Sequence, residues 1–462
     1  MSITRLLLVI SVLILVTLLF RKASGSLAFT NMNMISAIYY YIMAFNLVGA
    51  SLIYLGFQKH YLVQKIVFPD TIDKTYYALS YSLIMLPLVL IAMKKIMGRF
   101  LQQRDTCSFL KTGSFLNPDM INIQGVILLL VAVCTAATAY VFLNLGYNPI
   151  VSVIYGEDLN VLRQSGNRFF SGNQYIKNLF MSTLTPMVSY ITYIYYRTTH
   201  TKKWLLLFIY MAALSVLVLT YDFSKAPIIT YIFGLYLLEV AMGNAYNNKR
   251  FFFLVLSAVV IVLFFYVVVF NVRSSLFSIY TGPLGRILFT QIATLFLHIE
   301  AFPQLHPFME GASFNSWMSF FIPAANGMRS GRVVMTIYNP TGIETNTAGV
   351  MNTVFIGEAY ANFGVFGIII APIVFGVIIG FFAYLVPCLK KTPATILFYV
   401  EMTLHFVAIV EGGFVDILYS ASFFFIFLFA IFVLAISGQQ RKYYMSKIET
   451  QIIYDLATSR RN

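Results

Sequence analysis

Long apolar runs separated by short charged segments set the pattern of this chain. Residues 3–20 form the first run, with Arg21 and Lys22 directly after it and Arg5 alone near its start. A cleaved signal would carry its positive charge ahead of the apolar stretch, so the reversed order predicts an uncleaved helix with its amino end outside. Further runs of spanning length fall at 35–57, 76–93, 123–143, 179–196, 204–221, 226–243, 251–270, 364–386, 394–410 and 418–436. The pattern predicts an all-α polytopic membrane protein with about 11 transmembrane helices, its carboxyl end inside. Residues 1–462 read as a single transmembrane domain with no internal repeat and no linker.

Two segments exceed what a connector between helices needs. The first is 144–178. The second, 271–363, carries Arg273, Arg286, Arg329 and Arg332 but no lysine, together with Glu300, Glu310, Glu344, Glu358, His298, His306 and Trp317. Both are predicted to be extracytoplasmic loops. Within the larger, residues 286–303 have helical apolar spacing broken by Arg286, Gln291, His298 and Glu300. That predicts an amphipathic helix on or in the outer surface, or a twelfth span. The small residues and asparagines of 346–364 predict a tightly packed helix start, with Glu358 near the outer membrane surface, where a carboxylate is a functional candidate.

Composition agrees with the membrane reading: 59% of residues are hydrophobic and 10% charged, whereas soluble domains run near a quarter charged. The net charge of +14 raises the question of a nucleic-acid partner. Placed on the predicted topology, 19 of the 31 Lys and Arg lie in inner segments, as the positive-inside rule requires. The outer segments are close to neutral. The basic balance therefore reflects topology and contact with anionic inner-leaflet lipid, and no nucleic-acid partner is expected. Cys107 and Cys388 fall inside and Cys134 within a helix, so the outer face has no disulfide framework.

Arginine and lysine divide unequally. Inner segments hold 8 Arg and 11 Lys, whereas the two large outer loops hold six arginines (Arg163, Arg168, Arg273, Arg286, Arg329, Arg332) and one lysine, Lys177. A planar guanidinium matches phosphate bidentately, where an ammonium is a point charge. The outer set fits a site for a phosphorylated or pyrophosphorylated ligand; the competing reading pairs it with outer carboxylates or lipid head groups. Trp317, near Phe314, Phe320 and Phe321, fits either a platform for a sugar face or an interfacial anchor. The chain has no Asp-x-Asp, His-Glu-x-x-His, Walker-type or Gly-x-Ser-x-Gly motif, so neither a metal site nor a cofactor is expected.

The layout, with its Arg-rich late outer loop, resembles the Wzy-type O-antigen and oligosaccharide-repeat-unit polymerases of bacterial inner membranes. The residues that carry the likeness are Phe270-Asn-Val-Arg273, Gly285-Arg286, Phe321-Ile-Pro323, and Asn346-Thr-Ala-Gly349 onward to Gly364. The resemblance implies a GT-C-like glycosyltransferase of polysaccharide (lipopolysaccharide) biosynthesis acting on undecaprenyl pyrophosphate-linked oligosaccharides at the periplasmic face. Its implied partners are those lipid-linked sugars, membrane lipids, and a chain-length regulator and flippase of the same pathway. Under that reading Arg273 and Arg286 sit near the pyrophosphate. Arg163, Arg168, Arg329 and Arg332 are shared between donor and acceptor, and His298, Glu300 and Glu358 are the candidate bases. An O-antigen ligase and a transporter or flippase of lipid-linked sugars are the alternatives.

Overall fold

A computed structural model of the protein describes residues 3–100, 109–110, 123–147, 155, 170–222, 224, 226–244, 256, 260, 278–345, 348–418 and 420–433. Every regular element among them is helical. The principal helices are α1 (Ile3–Ser24), α2 (Met34–Tyr54, with a π-helical turn at Met43–Leu47), α3 (Asp70–Phe100), α4 (Ile123–Asn144), α5 (Thr185–Thr199), α6 (Lys202–Thr220), α7 (Ala226–Ala241), α8 (Gln291–Ala301), α9 (Ser330–Tyr338), α10 (Phe355–Leu385), α11 (Pro393–Ile409) and α12 (Phe414–Leu418).

Among the described residues, seven helical stretches are long and apolar enough to cross a membrane: Ile3–Asn31, Met34–Tyr54, Asp70–Phe100, Gln124–Asn144, Lys202–Thr220, Phe355–Cys388 and Phe414–Val433. The protein is thus an α-helical multi-pass membrane protein. The predicted runs at 226–243 and 394–410 form shorter apolar helices, Ala226–Ala241 and Pro393–Ile409. The run at 179–196 is helical too, as a π-helix, Ile176–Leu184, leading into α5. Its tyrosines, threonines and serines make it more polar than the seven. The predicted run at 251–270 lies largely outside the described residues.

The chain divides into two compact units. The first comprises residues 1–110, 245–388 and 402–420. At its centre α3 and α10 run parallel in close contact. A Cβ on Gly376 would fall 2.7 Å from that of Val89, and one on Gly380 2.8 Å from that of Met93. Two glycines one turn apart let the backbones approach, the usual device of helix packing in lipid. Beside them runs α1, tied at its start by Arg5 to Asp73 at 2.8 Å and at its end by the Tyr384 hydroxyl to the Ala23 carbonyl at 3.0 Å.

In this unit the structure corrects the expectation for 286–303. The stretch is no surface amphipathic helix: every residue from Ile292 to Ala301 is buried. Most of its polar groups find partners inside the protein, so no wet face is needed. Thr294 donates to the Gln291 carbonyl at 2.6 Å, His298 Nδ1 pairs with the Thr294 carbonyl at 2.7 Å, and Glu300 accepts from the Val67 amide at 2.8 Å.

The start of α10 also differs from the pattern. Helix begins at Phe355 and breaks at Gly364, whose φ of 60° and ψ of −142° are non-helical. A Cβ on Gly367 would lie 2.0 Å from the Ala359 carbonyl oxygen, so a half-helix, 355–363, folds sharply onto the membrane-crossing part.

The second unit comprises 111–244, 389–401 and 421–462. Among its described residues, tyrosines and the Arg197–Glu239 ion pair hold it together. Tyr190 stacks on Tyr231 at 5.1 Å, and Arg197 grips Glu239 through two bonds of 2.6 and 2.9 Å, with the Tyr193 hydroxyl donating to the same carboxylate. A buried carboxylate needs such partners.

Candidate functional site

The site grows from the half-helix 355–363 and the turn that closes over it. Between α11 and α12 the chain reads Glu411-Gly-Gly-Phe-Val-Asp416. Gly413 has φ 114°, and a Cβ there would fall 2.4 Å from Glu358 Oε2 and 2.7 Å from an Arg329 nitrogen. Only glycine fits. The turn is hydrogen-bonded to the half-helix by the Phe355 amide on the Val410 carbonyl and by the Val415 amide on Glu358 Oε2, both at 3.0 Å.

Arg329 joins the two sides. Its Nε lies 3.0 Å from Glu358 Oε1, its two terminal nitrogens donate to the Asp416 carboxylate at 2.8 Å each, and one also donates to the Gly412 carbonyl at 2.7 Å. Glu358 is buried, so the guanidinium supplies the charge it needs. A third carboxylate, Glu411, accepts from the Tyr41 hydroxyl at 2.9 Å and from Asn46 Nδ2 at 3.2 Å. Burial pushes its carboxyl up to about 7 against the pull of those two donors, so it exchanges a proton near neutral pH.

One residue after Arg329, α9 begins. Ser330 Oγ lies 3.3 Å from His298 Nε2. Because His298 Nδ1 faces a carbonyl, it carries the proton, which leaves Nε2 to accept from the serine. Burial holds the imidazole down to about 4, and it is neutral at physiological pH. Nearby on α8, the buried Glu300 carboxylate faces the buried hydroxyl of Tyr338 at the end of α9. Burial and the Glu300 charge raise that phenol.

Of the arginines the sequence singled out, Arg329 is engaged by carboxylates, which is the competing reading for that residue. Arg286 and Arg332 are exposed and pair with no carboxylate among the described residues. Arg286 stands on a π-helical turn, Arg286–Thr290, and Arg332 donates to the Gly349 carbonyl at 3.2 Å. The Arg286 turn packs on α2 so closely that a Cβ on Gly49 would meet the Leu288 carbonyl oxygen at 1.8 Å. Arg163, Arg168 and Arg273 lie outside the described residues. Trp317 projects from a short 3-10 helix, Ser316–Phe320, with 66% of its surface exposed. His306 lines an open depression of about 460 Å³ with Gln304, Phe308 and Glu310.

The structure thus brings Glu358 to Arg329, and His298 to the residue beside it, and adds Asp416, Glu411, Tyr41 and Asn46. Those four escape a reading by loops, because Tyr41 and Asn46 sit inside an apolar run. The turn did carry a signal: two carboxylates flanking adjacent glycines between apolar stretches. Among the described residues no group of three or more His, Cys, Asp or Glu is placed to hold a metal ion. The sequence matches no protein-family model, no curated protein and no solved structure.

Proposed function

We propose that the protein is a membrane glycosyltransferase of the polysaccharide-polymerase type, acting on undecaprenyl pyrophosphate-linked oligosaccharides at the outer face of the inner membrane. The observation that supports it most is the pairing of unlike roles within one unit. Arg286 and Arg332 stand exposed and pair with no carboxylate among the described residues, while the buried Glu358 is held by Arg329 at a broken helix. Discontinuous helices in membrane proteins commonly line substrate sites.

In the proposed reaction an acceptor sugar hydroxyl attacks the anomeric carbon of the donor glycan. The new carbon–oxygen bond forms as the bond to the pyrophosphate oxygen breaks, and the electron pair leaves with the lipid pyrophosphate. Arg286 and Arg332, with Arg273, Arg163 and Arg168, offset the charge that develops there. The acceptor proton passes to Glu358, which Arg329 positions. His298 and Glu300 are the other base candidates, and both also fasten α8 to its neighbours. The depression beside His306 and Phe308 is the proposed seat of the incoming sugar.

The test is polysaccharide length in cells carrying Arg286→Ala or Glu358→Gln in place of the native protein. Loss of one donor to developing charge lowers rates by roughly 10²–10³ and loss of a general base by roughly 10²–10⁴, so both variants should insert normally yet lose long chains. Native chain length in both would overturn the reading. Cells that accumulate unattached, lipid-linked polymer would point instead to a ligase.

A further inference from the structure

Beyond the transfer chemistry, one surface of the large loop calls for a partner of its own. Between Glu310 and Arg329 the chain has no charged residue. At the tip of this stretch Trp317, Phe320 and Phe321 are 66%, 88% and 74% exposed. Large apolar side chains grouped at such exposure mark an interaction surface rather than ordinary scatter.

The tip is not a loose strand of chain. Its neck is closed by the Gly327 amide on the Phe314 carbonyl at 2.7 Å and by the Met328 amide on the Ala312 carbonyl at 3.0 Å. Its base hangs from Asn362, which accepts from the Gly311 amide at 3.1 Å and the Ser313 amide at 3.3 Å and donates to Ser313 Oγ at 2.9 Å. Arg329, at the far end, is pinned to Glu358 and Asp416.

That attachment sets where the tip points. Asn362 lies two residues before the Gly364 break, and Phe314 contacts Phe363 with ring centroids 6.1 Å apart. Immediately beyond, Val365 and Phe366 are 67% and 64% exposed on a membrane-crossing helix, so they face acyl chains. The exposed aromatics therefore continue the lipid-facing surface of α10 at its head-group end, where tryptophan and other aromatics partition.

We infer that residues 314–328 form a membrane anchor, with Trp317, Phe320 and Phe321 seated at the boundary between head groups and acyl chains of the adjoining leaflet. The partner is the bilayer itself. By tying α9 and the Arg329–Glu358 pair to the membrane surface, the anchor fixes their height above it. It stands whether or not the protein transfers sugars.

The chain has two tryptophans, which makes the test direct. Trp204 stacks on Tyr195 at 4.7 Å, and Trp204→Phe keeps a ring there while leaving Trp317 as the sole indole. The full-length variant is placed in phosphatidylcholine vesicles with and without brominated acyl chains, and aqueous iodide is added in parallel. The expected result is a blue-shifted Trp317 emission that brominated lipid extinguishes and iodide leaves largely intact. Adding Phe320→Ser and Phe321→Ser should reverse the two sensitivities. Emission quenched by iodide and indifferent to brominated lipid would overturn the inference in favour of a solvent-exposed tip. Emission indifferent to both would overturn it in favour of a surface covered by protein.

Discussion

At the scale of single residues, Arg329 separates holding a site together from acting in it. Removing one partner of a buried ion pair leaves a charge without compensation and costs about 3–5 kcal/mol, more than the pair itself contributes. Arg329 is about one-third exposed, so the low end applies. Arg329→Ala is expected to lower stability by about 3 kcal/mol, read as a fall in the thermal unfolding midpoint of the purified protein. Arg286→Ala, whose side chain is exposed, should leave that midpoint unchanged while abolishing activity. Arg329→Met combined with Glu358→Leu should recover much of the stability and none of the activity. The sequence showed six arginines in the two long loops but not which of them carboxylates had claimed, because Asp416 lies 87 residues from Arg329 along the chain.

His298 supplies a pH signature at the same scale. Its folded value of about 4 lies below that of a free imidazole, about 6.5. The unfolded chain therefore takes up the proton first. The contribution of His298 to stability is constant above about pH 6.5 and is lost as pH falls toward 4, by up to about 3 kcal/mol for one such group. His60, also held down to about 4 by burial, adds a similar loss. Over the same window the burial-raised Glu411 carboxyl gains stability as pH falls, so the test is the difference between two proteins: the unfolding midpoint of His298→Gln should rise relative to that of the native protein as pH drops from 7 to 4.5. Equal slopes would show that His298 is not buried neutral.

At the scale of elements, the long apolar runs were legible and the exceptions follow a physical rule. Hydropathy sees composition, not the partners of polar groups. The α8 stretch read as amphipathic because His298 and Glu300 interrupt it, yet both find partners inside, at Ser330 and the Val67 amide. The same limit hid the half-helix 355–363, whose separation from the span depends on one glycine at φ 60°. Packing of α3 on α10 is the element-scale feature most open to test. Gly376→Ala would force a methyl to within 2.7 Å of Val89, and overpacking of this kind costs about 1–3 kcal/mol. Gly125→Ala on α4 meets nothing within 4 Å and should leave the unfolding midpoint level or higher. Equal midpoints would mean that α3 and α10 are not in close contact.

At the scale of the whole molecule, the membrane class was plain from the sequence. What the pattern could not supply is the joining of distant segments into a site. Tyr41 and Asn46 meet Glu411 across more than 360 residues, and spacing along the chain carries no trace of that. Sugar transfer remains the claim on which the functional account depends, and reconstitution addresses it without a cell. Purified protein in vesicles, given an undecaprenyl pyrophosphate-linked oligosaccharide repeat unit, should convert it into a ladder of longer lipid-linked products and release undecaprenyl pyrophosphate. Arg286→Ala vesicles should yield neither. Native vesicles that carry the labelled lipid-linked sugar across the bilayer while every chain stays one repeat long would contradict the account and identify a transporter.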